Sequence, residues 1–195
     1  MIQYAIDAGH AITPTLLVSS DSNEIGNYAL DQGCAYHIRE PYLCADNVPM
    51  VSVLLDVLEH QINPFDAVLM IYPCAPFVDK IDIVEGVNRL SREKHHVVYP
   101  VYKSHEQPER ALLVHENTVT PRYPEHKDNN SDKFPQSYHS AGQWYLADYA
   151  WLKLAKTLTP MDAGYVEIPA SRAIDIDTPE DWAMAEIMYE RLKGE

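Results

Sequence analysis

The stretch DAVLMIYPCAPF, residues 66–77, decides the fold, because it joins the most apolar strand of the chain to a rigid turn. The run of apolar residues over 67–72 predicts a buried β-strand. Pro73 and Pro76 follow it directly, and proline both removes a backbone donor and restricts φ, so the backbone is held firmly where the strand ends. A plain turn from a strand to a helix is the alternative interpretation of the two prolines.

On both sides of this strand, short apolar runs alternate with segments of helical periodicity. Such alternation predicts an α/β fold with a largely parallel sheet. In the helix predicted over 79–92, the spacing of Ile81, Val84, Val87 and Leu90 predicts an inward face. The other predicted strands are 16–19, 35–39, 97–101, 142–146 and 165–168, and the other predicted helices are 21–33, 51–62, 148–156 and the segment from 178 onward.

The composition is that of a folded protein with a strong negative charge. The 195 residues include 29 acidic and 15 basic side chains, which gives a net charge of −14. This charge disfavours nonspecific binding to nucleic acids or anionic membranes, so we expect neither as a partner. The N-terminal residues lack the basic start and apolar core of a signal peptide, so we expect a cytoplasmic protein. Three cysteines, an odd number, predict reduced thiols.

A polar segment over residues 103–138 interrupts the alternating pattern. It is rich in Pro, His, Asn and Lys, and a short hairpin is predicted around 111–119. We interpret the segment as an insertion that serves as a lid, a dimerisation arm or both. The remainder fits one domain, so residues 1–195 are predicted to form a single domain that carries this insertion.

The carboxyl ends of the predicted strands carry the candidate site, because ligands of such sheets bind there. Asp175 and Asp177 stand out among these residues. In an extended segment, carboxylates at i and i+2 point to the same face, roughly 7 Å apart at Cα. Such a pair can hold Mg²⁺ together with substrate phosphates. The alternative is that Asp177 helps to start the next helix and Asp175 is a solvated loop acid.

Basic and amide side chains near the same ends are the next candidates. In so acidic a chain, an anionic substrate needs a local basic cluster, a metal ion or both, and Arg39 and Arg172 are the best placed to supply the former. Each is alternatively a surface arginine paired with a nearby acid. His139 and Gln143 lie beside aromatic residues and indicate either a substrate pocket or satisfied polar groups near the core. No two of the seven glycines lie within five residues of each other, so a glycine-rich phosphate loop is absent from these 195 residues.

Taken together, several stretches resemble the cytidylyltransferases that activate nonulosonic, sialic-type sugars. In chain order these stretches are VSSDSNEIGNYALDQGC, IREPYLCADNVP, DAVLMIYPCAPF, YHSAGQWYLAD and IPASRAIDIDTPEDWAMAE. The resemblance covers essentially the whole chain and favours the pseudaminic branch, because Tyr72 stands where sialic-acid enzymes carry glutamine. It implies a three-layer, Rossmann-like nucleotidyltransferase fold and a homodimer. It also implies a Mg²⁺-dependent reaction of CTP with a nonulosonic acid, which gives a CMP-sugar for cell-surface or flagellar glycans and pyrophosphate.

The resemblance also implies a nucleotide site. Asp175 and Asp177 would be the catalytic pair, binding Mg²⁺ at the phosphates of CTP. Ser20 and Asp21 would lie by the nucleotide, and Arg39 would contact phosphate or the nucleotide-binding region.

A sugar site and the shape of the pocket are implied in the same way. Pro73, Ala75 and Pro76 would form the floor of the pocket. His139 and Gln143 would face the sugar. Together with Arg172, they are the predicted substrate-binding residues.

One part of the family pattern has no counterpart in these residues. Members of the family open with a strand and a loop rich in glycine, arginine and lysine, whereas residues 1–6 resemble the helix that follows that loop. We therefore expect the first, central strand to be absent and its neighbours to have unpaired edges on an open slot. An inactive, truncated homologue that binds or dimerises is thus the alternative to an enzyme. A nucleotidyltransferase for another sugar acid and a metal-dependent phosphohydrolase are further alternatives.

Overall fold

The computed structural model describes residues 1–61 and 65–193, and in them helices and strands alternate. Ile62, predicted to end a helical face, lies outside the described residues. The α/β class is confirmed. The helices are α1 (Ile2–His10), α2 (Asn23–Asp31), α3 (Met50–Glu59), α4 (Lys80–Arg92), α5 (Tyr149–Ala155) and α6 (Pro179–Lys193). The strands are β1 (Leu17–Ser20), β2 (Ala35–Ile38), β3 (Ala67–Ile71), β4 (Val97–Lys103), β5 (Leu112–His115), β6 (Thr118–Pro121), β7 (Tyr138–Ser140), β8 (Trp144–Asp148) and β9 (Gly164–Glu167).

The central sheet is mixed. It contains β3, β8, β4, β7 and β9, and β8 pairs antiparallel with both β3 and β4. Because β9 pairs in parallel with β4, the three strands β3, β4 and β9 run in one direction. Each of them follows a helix, as the alternating pattern predicts. β7 and β8 follow the insertion and run the opposite way.

Helices cover both faces of this sheet, which gives the predicted three layers. On one face, Ile83 of α4 and Ala8 of α1 join the core around Trp144. On the other face, Leu58 of α3 and Leu152 of α5 pack together against the sheet. In the part of the chain described here, no helix has both the length and the apolar character needed to cross a membrane. The cytoplasmic location stays a prediction.

Two free strand edges face each other between the halves of the fold. β1 and β2 form a separate parallel pair, with Leu17 opposite Ala35 and Ser20 opposite Ile38. Among the described residues, β1 pairs only with β2, and β3 pairs only with β8. The expected open slot between neighbouring strands is therefore confirmed.

The buried face of α4 differs from the predicted one. Ile81, Val84 and Val87 are exposed, whereas Leu90 packs against the core. The prediction of an inward face is therefore right for Leu90 and wrong for the other three residues.

Two contacts explain how α4 is rotated about its axis. The carboxylate of Asp82 is buried and accepts two hydrogen bonds from the guanidinium of Arg172, at 2.5 and 3.2 Å. One turn along the helix, Gly86 lies so close to Trp144 that a Cβ atom at position 86 would come within 2.6 Å of the indole ring. An ion pair and a close helix–sheet approach therefore decide the face, and neither is visible in the helical spacing.

The predicted hairpin within the insertion is confirmed. β5 and β6 pair antiparallel, from Leu112 opposite Pro121 to His115 opposite Thr118. In the described part of the chain, these two strands pair only with each other. The hairpin also exposes large apolar side chains, including Leu113 and Val114. The role of the insertion as a lid or a dimerisation arm stays a prediction.

Candidate active site

A groove of about 420 Å³ separates the free edge of β1 from the free edge of β3. Most of its lining is apolar and comes from these strands and from α1 and α3. At the carboxyl ends of the two strands, the lining becomes polar. The polar end is formed by Ser19, Arg39, Tyr72 and Cys74. Because ligands of α/β sheets bind at such strand ends, this end of the groove is the candidate active site.

Arg39 directs its charge to this end of the groove. Its backbone N–H donates to the carbonyl of Ser20, at 3.0 Å, and thereby continues the pairing of β2 with β1. Since successive carbonyls of a strand point to opposite sides, the carbonyl of Ser19 points toward the groove. The Nη2 of Arg39 donates to that Ser19 carbonyl at 3.0 Å, so the guanidinium reaches around the end of β1. Its Nε is buried without a hydrogen-bond partner among the described residues, which leaves a donor available to an anion.

Asp175 lies at the end of β3, next to the same groove. The segment that carries it is tied to the strand end by the N–H of Ile176, which donates to the carbonyl of Cys74 at 3.1 Å. The Asp175 carboxylate acts on the thiol of Cys74 and raises the pKa of that thiol. The Oδ1 of Asp175 is buried and has no hydrogen-bond partner within residues 1–61 and 65–193. A buried carboxylate oxygen without a partner is costly, so this atom is suited to a cation or a donor from a ligand.

Burial and the charge of Asp175 keep the Cys74 thiol and the Tyr72 hydroxyl protonated. Desolvation, followed by the hydrogen bond to Asp175, raises the pKa of the Cys74 thiol to about 12. Desolvation also raises the pKa of Tyr72 to about 12, with further contributions from Tyr145, Cys74 and Asp175. At neutral pH the thiol is therefore a hydrogen-bond donor and not a nucleophile, because the thiolate is the reactive form of cysteine.

Asp177 is exposed and lies two residues further along the same segment. Its charge, like that of Asp175, raises the pKa of Cys74, so both carboxylates act on the same thiol. The start of α6 is capped by Thr178 and Asp181 instead: Asp181 accepts from the N–H of Thr178 at 2.8 Å, and Thr178 accepts from the N–H of Asp181 at 3.2 Å. This exchange is a capping box, and it leaves the Asp177 side chain for another role.

The two aspartates have the chemistry of a Mg²⁺ site. Mg²⁺ binds carboxylate oxygen, commonly one or two carboxylates together with substrate phosphates and water. The Oδ1 of Asp175, which is buried and has no hydrogen-bond partner in the described part of the chain, and the exposed carboxylate of Asp177 supply oxygen ligands of this kind. The residues present therefore fit the ion that the sequence predicts.

The two nucleotide-side residues predicted at the end of β1, Ser20 and Asp21, differ in burial. Ser20 is buried, and its hydroxyl accepts from the N–H of Ser22 at 3.1 Å, so this side chain forms the turn into α2. Asp21 follows it and is exposed. The residue of this segment that lines the groove is Ser19, because alternate residues of a strand face opposite sides.

The three residues predicted to form the pocket floor lie in different places. Pro73 lines the groove. Ala75 is buried beneath it, and Pro76 lines a second depression of about 330 Å³ that also contacts Tyr4 and Phe77. Only Pro73 therefore belongs to the floor of the candidate site, because the rigid turn carries the chain from one face of the fold to the other.

The predicted substrate-binding residues have structural roles or lie elsewhere. Arg172 is paired with Asp82, and its carbonyl accepts from the Nε2 of Gln143 at 2.5 Å. Gln143 is fully buried, whereas the Arg172 side chain is 20% exposed and lines the second depression, not the groove between β1 and β3. His139 is exposed on β7, where its ring stacks on Tyr102 at 5.8 Å between centroids. Both residues make contacts within the fold and neither lines the groove; the substrate contacts predicted for them stay predictions.

Gly142 and Cys74 shape the site in a way that the sequence analysis missed. Gly142 has a φ of +64°, and a Cβ at this position would lie 2.5 Å from the Oδ2 of Asp175. Asp175 is thus held between a glycine without a side chain and the thiol of Cys74. The signals available in the sequence were the glycine of YHSAGQ and the cysteine between the two prolines of YPCAP, but neither identifies its partner.

Two curated relatives resemble the chain over nearly its whole length. Both are pseudaminic acid cytidylyltransferases of Campylobacter jejuni subsp. jejuni, from serotypes O:2 and O:23/36. Each is 26% identical over 194 residues, which cover 96% of this chain and 82% of the relative. No family model matches the chain.

Solved structures show the same fold. CMP:2-keto-3-deoxy-manno-octonic acid synthetase complexed with CTP superposes with a TM-score of 0.68 at 12% identity, covering all of this chain and 88% of that one. The 4-diphosphocytidyl-2C-methyl-D-erythritol synthase of Anaerococcus prevotii superposes with a TM-score of 0.62 at 14% identity, covering 95% and 85%. The predicted resemblance to cytidylyltransferases and the predicted nucleotidyltransferase fold are both confirmed.

Proposed function

We propose that the protein is a CTP-dependent cytidylyltransferase that converts a nonulosonic acid to its CMP-sugar and releases pyrophosphate. The observation that carries this proposal is that Arg39 and Cys74 line the polar end of one groove and that the Asp175 carboxylate acts on the thiol of Cys74 there. Within the described residues, the buried Oδ1 of Asp175 and the buried Nε of Arg39 have no hydrogen-bond partner, so the two side chains can supply opposite charges to one ligand. A nucleoside triphosphate bound with a divalent cation is a ligand that carries both charges.

The proposed sugar is pseudaminic acid. Support comes from the two relatives, which are named for this substrate and match nearly the whole chain. The proposed role in cell-surface or flagellar glycan synthesis follows from the same substrate. A solved structure of the same fold, complexed with CTP, supports the nucleotide.

In the proposed reaction, the anomeric hydroxyl of the sugar attacks the α-phosphorus of CTP in line. A new oxygen–phosphorus bond forms, the bond between the α-phosphorus and the bridging oxygen breaks, and pyrophosphate leaves. Such transfers depend mainly on positioning of the two substrates and on stabilisation of the phosphate charge. Arg39 binds the triphosphate, and either Asp175 or Asp177 accepts the proton of the hydroxyl. Asp175 and Asp177 would hold Mg²⁺, which when bound neutralises phosphate charge and lowers the pKa of the attacking hydroxyl.

A homodimer is part of the proposal, and the hairpin β5–β6 supports it. Val114 is 74% exposed, and Leu112, Leu113 and Val119 are each more than half exposed. Apolar side chains concentrated on one projecting element are typical of a protein–protein contact. We propose that the hairpin packs against a second copy of the chain.

Pyrophosphate release with CTP, Mg²⁺ and a panel of sugar acids tests the proposed reaction. We expect turnover with pseudaminic acid, and we expect Asp175→Asn and Asp177→Asn to abolish it while the circular dichroism spectrum is retained. Asp162→Asn is the matched control, because Asp162 is exposed and its carbonyl, not its carboxylate, makes the hydrogen bond to His95. Unchanged turnover in both site variants would contradict the metal assignment, and phosphate release without sugar would indicate a phosphohydrolase.

A non-catalytic binding or dimerising protein is the second candidate. The open, largely apolar groove between β1 and β3 favours it, because both strands present free edges there. Calorimetric titration with CTP and Mg²⁺ separates the candidates. Heat of binding supports the enzyme, and its absence together with an intact dimer supports the second candidate.

A further inference from the structure

Three potential metal ligands converge between β2 and α3, away from the aspartate pair. His37 lies on β2, Asp56 lies on α3, and His60 follows the last residue of α3. Each offers one ligand atom, and the three atoms all lie within 4.8 Å of one another. The Nε2 of His37 is 3.3 Å from the Oδ2 of Asp56, and the two imidazole rings are 5.3 Å apart.

Hydrogen bonds to the far side of each ring leave a nitrogen available for a metal. The Nδ1 of His60 lies 2.8 Å from the carbonyl of Asp56, and a carbonyl only accepts, so Nδ1 carries the proton and Nε2 keeps its lone pair. The Nδ1 of His37 lies 3.2 Å from the hydroxyl oxygen of Ser19, which can accept a hydrogen bond from the Nδ1–H in the same way. Histidines that bind metals characteristically donate their other ring nitrogen to such a partner.

The contact between His37 and Asp56 has the dimensions of a metal site. Both side chains are 12% exposed, and the Oδ2 of Asp56 is buried without a hydrogen-bond partner in the described part of the chain. Two ligand atoms on a tetrahedral Zn²⁺, with bonds of about 2.0–2.1 Å, lie about 3.3 Å apart. The observed separation matches this spacing. A protonated His37 in a simple ion pair with Asp56 is the competing interpretation.

We propose that His37, Asp56 and His60 bind a divalent transition metal, with Zn²⁺ as the preferred ion. Two imidazoles and one carboxylate suit Zn²⁺ and its neighbours in the first transition row, not Mg²⁺. Because His60 is exposed, a water molecule completes the tetrahedral shell from solvent. This site is distinct from the oxygen ligands of Asp175 and Asp177.

The consequence of such a site is a cross-link between the halves of the fold. His37 belongs to the separate β1–β2 pair, whereas Leu58 of α3 packs against the central sheet. The bound metal would also fix Ser19 through His37, and the carbonyl of Ser19 holds the guanidinium of Arg39. The metal therefore positions the cationic end of the groove and takes no part in chemistry.

Titration of the metal-free full chain with Co²⁺, followed by visible absorption, tests the site, because tetrahedral Co²⁺ absorbs strongly. We expect one equivalent to bind and Zn²⁺ to displace it. His60→Ala removes the exposed ligand, and Asp56→Asn is the nearly isosteric second variant. Both are expected to weaken Co²⁺ binding by at least about tenfold and to abolish stabilisation of the chain by Zn²⁺ against heat. His115→Ala, in the hairpin, is the matched control and is expected to bind as the parent does.

Each result decides the proposal without reference to catalysis. Loss of the cobalt spectrum in His60→Ala and Asp56→Asn, with an unchanged circular dichroism spectrum, supports the site. If the parent chain shows no tetrahedral cobalt spectrum, or if both variants bind as the parent does, the contact of His37 with Asp56 is an ion pair and the proposal is wrong. If Asp56→Asn fails to fold, the cobalt titration of His60→Ala decides alone.

Discussion

Asp175 occupies space that Gly142 leaves empty: a Cβ at position 142 would lie 2.5 Å from its Oδ2. Gly142 also has a φ of +64°, a backbone conformation that residues with a side chain adopt at a cost. The same carboxylate raises the pKa of the Cys74 thiol, and the N–H of Ile176 donates to the carbonyl of Cys74 at 3.1 Å. One aspartate is thus positioned by a backbone bend after β7 and by the turn that follows β3.

Gly142→Ala is the first prediction. The new methyl group displaces the Asp175 carboxylate, so we expect cytidylyl transfer to fall by at least about a hundredfold, since small displacements of catalytic groups have effects of this size. Pyrophosphate release under saturating CTP measures it. Gly33→Ala is the control, because Gly33 has a φ of +78° but no atom within 4 Å of its Cβ position. Both changes cost about 1–2 kcal/mol of stability through backbone strain, and only Gly142→Ala should lose activity. Equal activity in the two variants would contradict the prediction.

The raised pKa of Cys74 predicts a loss of stability at high pH. In the unfolded chain the thiol loses its proton near its ordinary pKa of 9.0, whereas in the folded chain it keeps the proton up to about 12. Between these two pH values the thiol is therefore protonated in the folded state and largely deprotonated in the unfolded state. The contribution of Cys74 to the free energy of unfolding falls as the pH rises through this range.

Cys74→Ala tests this dependence. We expect the variant to lose less stability than the parent between pH 8 and pH 10, measured by urea denaturation at each pH. Cys44→Ala controls for removal of a thiol, because Cys44 directly follows the short 3-10 helix Pro41–Leu43 and its thiol bonds, among the described residues, to backbone carbonyls. If the free energy of unfolding depends on pH equally in the parent and in Cys74→Ala, the thiol is not held protonated in the folded state.

The ion pair of Arg172 with Asp82 predicts a structural effect where the sequence analysis predicted a substrate contact. Removing one partner of a largely buried ion pair leaves the other charge buried without a partner, and this lowers the free energy of unfolding by about 3–5 kcal/mol. We therefore expect Arg172→Met to lower the free energy of unfolding by about that amount. Arg89→Met is the control on α4, because Arg89 pairs with Glu85 on the surface and such pairs contribute about 0–1 kcal/mol.

Urea denaturation of the two variants, with the parent as reference, measures this difference. Arg172→Lys adds a second test. If Arg172 bound the sugar carboxylate, Arg172→Lys would raise the KM for the sugar acid and leave stability close to that of the parent. We expect the opposite result, a less stable protein with an unchanged KM.

Local signals explain why much of the fold was predictable from the sequence. The capping box of Thr178 and Asp181 and the apolar run of β3 each act within a few residues, so their elements were predicted near their observed positions. The polar end of the groove was predictable as a place, because strand ends collect ligands in such sheets. Which residues line that end was not predictable, because Ser19 and Ser20 differ only in the side of the strand that they face.

Long-range contacts explain the rest. Arg172 was predicted to bind substrate because of its position near a strand end, and Gln143 because it lies beside aromatic residues and the family resemblance implies that it faces the sugar. Their partners lie far along the chain: Asp82 is 90 residues from Arg172, and the carbonyl that Gln143 contacts is 29 residues away. The exposed face of α4 has the same origin, since Asp82 draws the helix toward Arg172 and turns Ile81 to solvent. Pairings of this kind are properties of the folded chain and leave no local pattern.

The exposed hairpin predicts that assembly depends on Val114. A glutamate at the centre of an apolar contact between two copies places an unpaired charge there, which is costly. Val114→Glu is therefore expected to convert the dimer to a monomer, as measured by light scattering during size-exclusion chromatography. Leu154→Glu is the matched control: Leu154 is an exposed apolar residue of α5, far along the chain from the hairpin. A parent chain that is already monomeric, or a Val114→Glu variant that stays dimeric, would remove the hairpin from the interface. Since β5 and β6 pair only with each other among the described residues, the substitution should leave the central domain folded, and the circular dichroism spectrum checks this.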